Sequence, residues 1–334
     1  MNKGSERMKY VIGIDVSKAT LDCAWIRDPD TGKAKTKIWT NNLGGHQRLV
    51  DWATHSLGVA LSEIAFVMEA TGVYHEALAH YLHRAGARVA VLNPAHLRDY
   101  AKSLAIRSKN DRKDSLVLAR FGLTQPWRAW QPEAPEVREL RALLARLEAV
   151  EKDLRREQNR LEKAQISAAS TQVMDSIQRS IGALEAEKQR LERLVDDHID
   201  RHPRLKKDAE LLKTIPAVGP VLARHIVALY HSRGFQQGRQ MAAYLGITPV
   251  EHTSGTSVRG RPRLSKTGSA TIRAKLYMPA VVATRHNPHA KALYVRLRAK
   301  GKAKMSALGA VMRKLVHLCF GVLKHQQAYS PPAA

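Results

Sequence analysis

Acidic residues all but vanish from the last third of this sequence. From residue 201 onward only Asp208, Glu210 and Glu251 stand against 24 lysines and arginines, so this stretch carries +21 of the chain's total of +25. A surface so one-sided meets a polyanion: nucleic acid first, an anionic membrane surface as the competing reading. Cysteine is nearly missing too. Cys23 and Cys319 are the whole complement, and neither belongs to a Cys-x-x-Cys pair, which leaves a zinc or dithiol motif without support and casts both as small buried hydrophobes. Long apolar runs are lacking, and the N-terminal stretch VIGIDV is broken by Asp15 and has no signal-peptide cleavage pattern. The expected location is therefore cytoplasmic, with no membrane partner. HEALAH, from His75 to His80, superficially looks like a zincin helix. Its histidines are five apart, about 500° of helical rotation, off a shared face.

What is present divides into three segments of different charge. Residues 1–132 have a net charge of +7, residues 133–200 of −3, and the rest +21. The first segment reads as α/β. YVIGIDV, TLDCAWI and KTKIWT are closely spaced β-rich runs that predict a three-strand antiparallel meander. A helix is expected from Gly45 to Ser56. EIAFVMEA (63–70) is a continuous apolar run, as in a strand covered on both faces; a helix over 74–84 and a short strand, ARVAVL (87–92), follow. Asn93-Pro94 ends that strand and can start the next helix.

The middle segment carries Leu140, Leu147, Leu154 and Leu161 at heptad spacing, and a second arm repeats the pattern with Ile177, Leu184 and Leu191. Such a stripe predicts a coiled-coil hairpin, with arms of about 45 Å at 1.5 Å per residue. It can close within one chain or pair with another protomer. The last segment reads as mainly helical with loops. LLKTIPAVGPVLARHIVAL (211–229) sets a Pro-Ala-Val-Gly turn between two apolar helical patterns, as in a helix-hairpin-helix, where Gly219 would let the backbone approach a phosphate. Further on, SGTSVRGRPRLSKTG, from Ser254, packs hydroxyls, glycines and four cations into a run too polar for a core.

Four acids, from two strand ends and one helix, could converge on one pocket. Asp15 sits late in an apolar strand, Glu69 ends the second buried run, and Asp111 and Asp114 open an apolar helix, projecting at i and i+3 from one face. Carboxylates so gathered suit Mg²⁺, and two such ions can stabilise attacking and leaving oxygens in phosphoryl transfer. Singly, each has another reading: Asp111 as a helix cap, Asp114 as its first-turn partner, Glu69 paired with an arginine.

GIDVSK around Asp15, EATGVY around Glu69, NPAHLRDYAKS, the NDRKD acids, IPAVGP, YLGITP, SGTSVRGRPRLSKTG and LYMPA together resemble, in that order, the DEDD transposases of the insertion-sequence 110 family and their Piv-type invertase relatives. The resemblance runs from about residue 10 to 325. It implies a RuvC-like, RNase H-fold catalytic domain over 8–130 and a C-terminal transposase domain over 205–325, on either side of the coiled-coil hairpin that the heptad pattern predicts over 133–200. The metal-holding acids would be Asp15, Glu69, Asp111 and Asp114, and the nucleophilic serine Ser254. Family members cut and rejoin DNA, and some are guided by a bridge RNA. Thr256 stands where the family often has serine, and VEHT replaces a more basic lead-in to Ser254.

A serine hydroxyl needs a base, a metal or a strong field to attack at neutral pH. His252 is one candidate base; activation by Mg²⁺ on the four acids is the more economical route. Arg259, Arg261, Arg263 and Lys266 are candidates for gripping phosphate oxygens, or for simple backbone binding. On chemistry alone Thr256, Ser257 and Ser265 rival Ser254, and only the resemblance ranks it first. The expected partners are donor and target DNA, a bridge RNA and a second or further copies of the chain, as a homodimer or homotetramer. Two other functions stay open at this point: a Mg²⁺-dependent junction-resolving nuclease that uses water, and a non-catalytic DNA- or RNA-binding protein.

Overall fold

The computed structural model describes residues 8–28, 31, 33–70, 72–104, 111–254 and 258–331, and the side chains of all of these but 111, 112, 251–254 and 258–262. Contacts divide the chain into two units, 1–132 and 133–334.

The first unit is built on β1 (Tyr10–Val16), β2 (Thr20–Asp28), β3 (Lys33–Thr40), β4 (Ile64–Glu69) and β5 (Arg88–Leu92), in the spatial order β3-β2-β1-β4-β5. β2 runs antiparallel to both neighbours, while β1, β4 and β5 are parallel. A meander followed by helix-linked parallel strands is the arrangement the RNase H-type resemblance implies. Helices cover both faces. α1 (Leu43–Leu57) and α2 (Glu76–Arg84) pack through Leu49, Ala53, Leu78 and Leu82 onto Ile12, Ile14, Phe66 and Met68. On the other face, α3 (Pro94–Ser103) and α4 (Asp111–Thr124) place Leu97, Val117, Leu118 and Phe121 against Val11, Ala65, Val67 and Ala90. Adjacent residues of β4 thus enter different cores, which is why the run lacks alternation. Asn42 and Asn93 cap α1 and α3 by accepting from Gly45 N and Ala95 N, each at 2.9 Å.

In the second unit α5 (Pro135–Ile166) and α6 (Thr171–Arg201) form an antiparallel hairpin. Its antiparallel sense shows in His198 Nε2, near the end of α6, which lies 2.8 Å from Glu136 O at the start of α5. Leu147, Val150 and Leu191 are buried between the arms, whereas Leu154, Leu161, Ile177 and Leu184 are only half-buried. The hairpin base, with Val137, Leu140, Leu144, Val195 and Ile199, shares one core with the helices that follow. The charge change near residue 200 is therefore no packing boundary.

Those helices are α7 (Pro203–Lys213), α8 (Pro220–Ser232), α9 (Gly238–Tyr244), α10 (Ala270–His286), α11 (Pro288–Ala299) and α12 (Lys304–His325). By length and composition α12 could cross a membrane, but 61% of its apolar stretch is buried in the unit as a core helix. Where the sequence predicts a loop, the structure has two strands, β6 (Pro249–Ser254) and β7 (Val258–Leu264), paired antiparallel. Both cysteines are buried; burial pushes the Cys319 thiol up to about 12 and raises that of Cys23 as well.

Candidate active site

The acid-bearing face of the sheet is set by one close approach. A Cβ on Gly13 would lie 2.1 Å from Ser115 O and 2.3 Å from Ala119 N, so α4 sits directly on β1 there. Further along, a Cβ on Gly122 would meet Val11 Cγ1 at 2.6 Å. With Ser115 and Ala119 over Gly13 and Gly122 over Val11, α4 runs opposite to β1, and its first turn lies toward Asp15. Only glycine at 13 permits this approach. Asp114, next to Ser115, is brought in this way to the strand end that carries Asp15.

Glu69 reaches the same end by register. β1 and β4 pair in parallel as far as Ile14 with Met68, which sets Asp15 and Glu69 level on adjacent strands and on the face that α4 covers. The helix carrying Asp111 and Asp114 thus starts near the ends of β1 and β4 that bear Asp15 and Glu69; the Asp111 side chain lies outside the described residues.

A fifth acid went unread in the sequence. Asp22 of β2 lies directly opposite Asp15 on the same face, and like charges so placed repel unless a cation or donor intervenes. The signal was present: Leu21, Cys23 and Trp25 alternate toward one core, leaving Asp22 on the other face. Thr20 Oγ1 donates to Asp22 at 3.5 Å. The donor set is all carboxylate oxygen, which suits a hard divalent cation. Among the described residues, no three acid, histidine or cysteine side chains are gathered closely enough to hold an ion.

In the second unit, Ser254 is the last residue of β6, its backbone level with Val258. Arg259, Arg261 and Arg263 occupy every second position of β7. The side chains of Ser254, His252, Arg259 and Arg261, and residues 255–257 altogether, lie outside the described residues; Arg263 and Lys266 are exposed. The root of this hairpin is tightly built. Gly246 and Gly268 have φ of 67° and 95°, and a Cβ on them would lie 2.0 Å from Thr267 O and 1.9 Å from Tyr244 O. Arg273 Nη1 donates to Leu245 O and Gly268 O, both at 3.1 Å, and to Thr267 O at 3.4 Å. One guanidinium therefore fastens the strand that leaves β7 to the turn that enters β6. The turn IPAVGP lies between α7 and α8, with Ala217 at a φ of 79° and Gly219 as the cap of α8.

Residues 12–165 match a family model for DEDD transposases of the IS110 type, and residues 209–295 match a second one, for transposases of the IS116/IS110/IS902 family. The pilin gene-inverting proteins of Moraxella bovis and Moraxella lacunata are each 32% identical to the chain over 324 residues, covering 96% of it and 98% of their own length. The 43.6 kDa protein of insertion element IS110 from Streptomyces coelicolor is 25% identical over 158 residues, 47% of this chain and 38% of that one. The solved T. thermophilus RuvC, in complex with a Holliday junction substrate, is 11% identical and covers 36% of this chain and 99% of its own, with a TM-score of 0.27. It is the strand order, not this superposition, that identifies the fold of the first unit.

The two family models and the full-length relatives define an enzyme that cleaves and rejoins DNA strands. The chain belongs to the IS110 family of DEDD transposases.

Proposed function

We propose that this protein is a transposase, or site-specific recombinase, that breaks and reseals DNA through a covalent phosphoserine intermediate. In this reading Asp15, Glu69, Asp111 and Asp114 hold Mg²⁺, and Ser254 is the nucleophile. The observation that carries it is the seating of α4 on Gly13, which directs the first turn of that helix toward the strand ends bearing Asp15 and Glu69.

Bound Mg²⁺ would supply Lewis-acid stabilisation of charge on the reacting phosphate oxygens. The protein's own residues do the rest. Ser254 Oγ attacks the scissile phosphorus and gives up its proton to solvent, which returns one to the leaving oxygen. The bond from phosphorus to one deoxyribose oxygen breaks, and that oxygen leaves as a hydroxyl after taking up a proton. Rejoining is the reverse exchange with another strand's hydroxyl, so bond energy is conserved in the phosphoserine and no nucleotide cofactor is consumed. Arg259, Arg261, Arg263 and Lys266 grip phosphate oxygens. Donor and target DNA, guidance by a bridge RNA, an even-numbered oligomer and a cytoplasmic location complete the reading; its support is membership of the family and the net charge of +21 carried from residue 201 onward.

The test is a suicide DNA substrate with a nick beside the cleavage point. A denaturation-resistant protein–DNA adduct is expected from the wild type and not from Ser254→Ala. Cleavage that survives this substitution without an adduct would show water to be the nucleophile, leaving a Mg²⁺-dependent nuclease. Sequencing the RNA that copurifies decides guidance: a defined species with loops complementary to donor and target supports it, and random cellular fragments refute it.

A further inference from the structure

One side chain ties together the two segments that follow Asp15 and Glu69. Asn41 comes directly after β3, and its backbone N donates to Ala19 O at 2.8 Å. Its Nδ2 donates to Ser17 O at 2.9 Å and to Tyr74 O at 3.1 Å. Ser17 is two residues past Asp15, and Tyr74 is five past Glu69. A single amide thus spans the turn leaving β1 and the segment leaving β4, across a sequence separation of 57 residues from Ser17 to Tyr74.

The amide's orientation is fixed by what it touches. Two carbonyls accept from Nδ2, so Oδ1 is left as acceptor, and His46 Nε2 lies 3.0 Å from it. His46 must therefore carry its proton on Nε2. That histidine is buried in α1, 4% exposed, with its ring 5.5 Å from that of Tyr81. It is a fixed donor behind an amide that bridges two backbone carbonyls, one two residues past Asp15 and one five past Glu69.

We infer that Asn41 is a positioning residue that holds the Asp15 and Glu69 strand ends at the spacing a divalent ion requires, and that His46 sets its orientation. The inference rests on the reading that Asp15 and Glu69 are metal ligands. A mere turn-stabilising role would cost thermal stability and leave metal affinity alone.

The experiment measures Mn²⁺ binding to the full-length protein by electron paramagnetic resonance of the free ion, alongside circular dichroism and the Mg²⁺ dependence of strand cleavage. Asn41→Ala is expected to weaken Mn²⁺ about ten- to hundredfold, to raise the Mg²⁺ needed for half-maximal cleavage, and to recover most of the rate at saturating Mg²⁺. His46→Leu should move the same quantities in the same direction, and His46→Gln, whose amide can still donate to Oδ1, should restore them. A folded Asn41→Ala protein that binds Mn²⁺ like the wild type overturns the inference. If Asn41→Ala does not fold, the two His46 variants decide: equal Mn²⁺ affinity in both, at the wild-type value, overturns it as well. Asp15→Asn separates the two levels. Loss of Mn²⁺ binding there, with none in Asn41→Ala, defeats only the positioning role; undiminished binding in Asp15→Asn defeats the metal site, and the positioning role with it.

Discussion

Asp208 Oδ2 lies 2.6 Å from His231 Nε2, and Gln326 Nε2 donates to the other carboxylate oxygen at 2.7 Å. One of the three acids in the basic third is thus spent inside the protein, 1% exposed, joining α7 to α8 and to the residue just past α12. Truncating a buried hydrogen-bonded carboxylate leaves His231 and Gln326 without their acceptor, at a cost of about 1 to 3 kcal/mol. Asp208→Ala should lose that much in urea unfolding, whereas Glu210→Ala, whose pair with Lys213 is largely exposed, should change it by less than about 1 kcal/mol. Equal losses would contradict the assignment.

Gly13→Ala should be far worse than a usual helix- or strand-level substitution. The new methyl would overlap Ser115 O and Ala119 N, which are backbone atoms and cannot swing aside. Either α4 lifts or the first unit fails to fold, and metal-dependent cleavage goes in both cases. Gly182→Ala is the counterpart: nothing lies within 4 Å of a Cβ there, inside α6, so a gain of roughly 0.5 to 1 kcal/mol is expected. Thermal melting of both variants checks the pair, and a Gly13→Ala protein with wild-type melting and activity would refute the seating of α4.

How legible the molecule was in its sequence differed by unit. β4 and β5 stood out because apolar runs bounded by Asn93-Pro94 leave few alternatives, and the heptad leucines of α5 and α6 declared themselves in the same way. β6 and β7 did not. Pro262 and Gly260 weaken β-propensity, and the pairing is held by the glycine–carbonyl contacts and Arg273 at the root, all tertiary. Asp15 and Glu69 were readable as charges ending apolar strands. The face of Asp22 was readable from the alternation of Leu21, Cys23 and Trp25, but its place opposite Asp15 comes from register, and the meaning of Asn41 comes from carbonyls distant in the chain.

Arg263 and Lys266 are exposed, and each is expected to release about one condensed counterion on binding DNA. Replacing either by alanine should weaken DNA binding and lower the slope of log affinity against log salt by about one. Arg273→Ala should instead destabilise the second unit, because its guanidinium is occupied by Leu245 O, Thr267 O and Gly268 O. Affinity measured across a salt series, with melting curves for each variant, separates the two behaviours. An unchanged slope in both surface variants would remove Arg263 and Lys266 from the DNA contact.

Acid should loosen the second unit through His225. Burial holds this histidine's pKa below its ordinary value of 6.5, with Lys275 nearby acting in the same direction and Glu148 opposing. The unfolded chain therefore takes up the proton first as the pH falls. Stability from this group is complete above pH 6.5 and declines below it, down to the folded pKa. His225→Gln should flatten the dependence of the unfolding free energy on pH in that window. A slope identical to the wild type would assign the acid sensitivity elsewhere.

The place of α12 in the second core has a consequence for synthesis. Val311, Leu315, Val316 and Cys319 are central to the packing that unites the hairpin base with α7, α8 and α10, yet α12 emerges after every other element of that core. The first unit is complete at residue 132. At roughly 5 to 20 residues per second, the ribosome needs on the order of 10 to 40 s more to deliver α12. During that interval the sheet with its carboxylates can already be formed, while the strongly cationic half still lacks the helix that closes it.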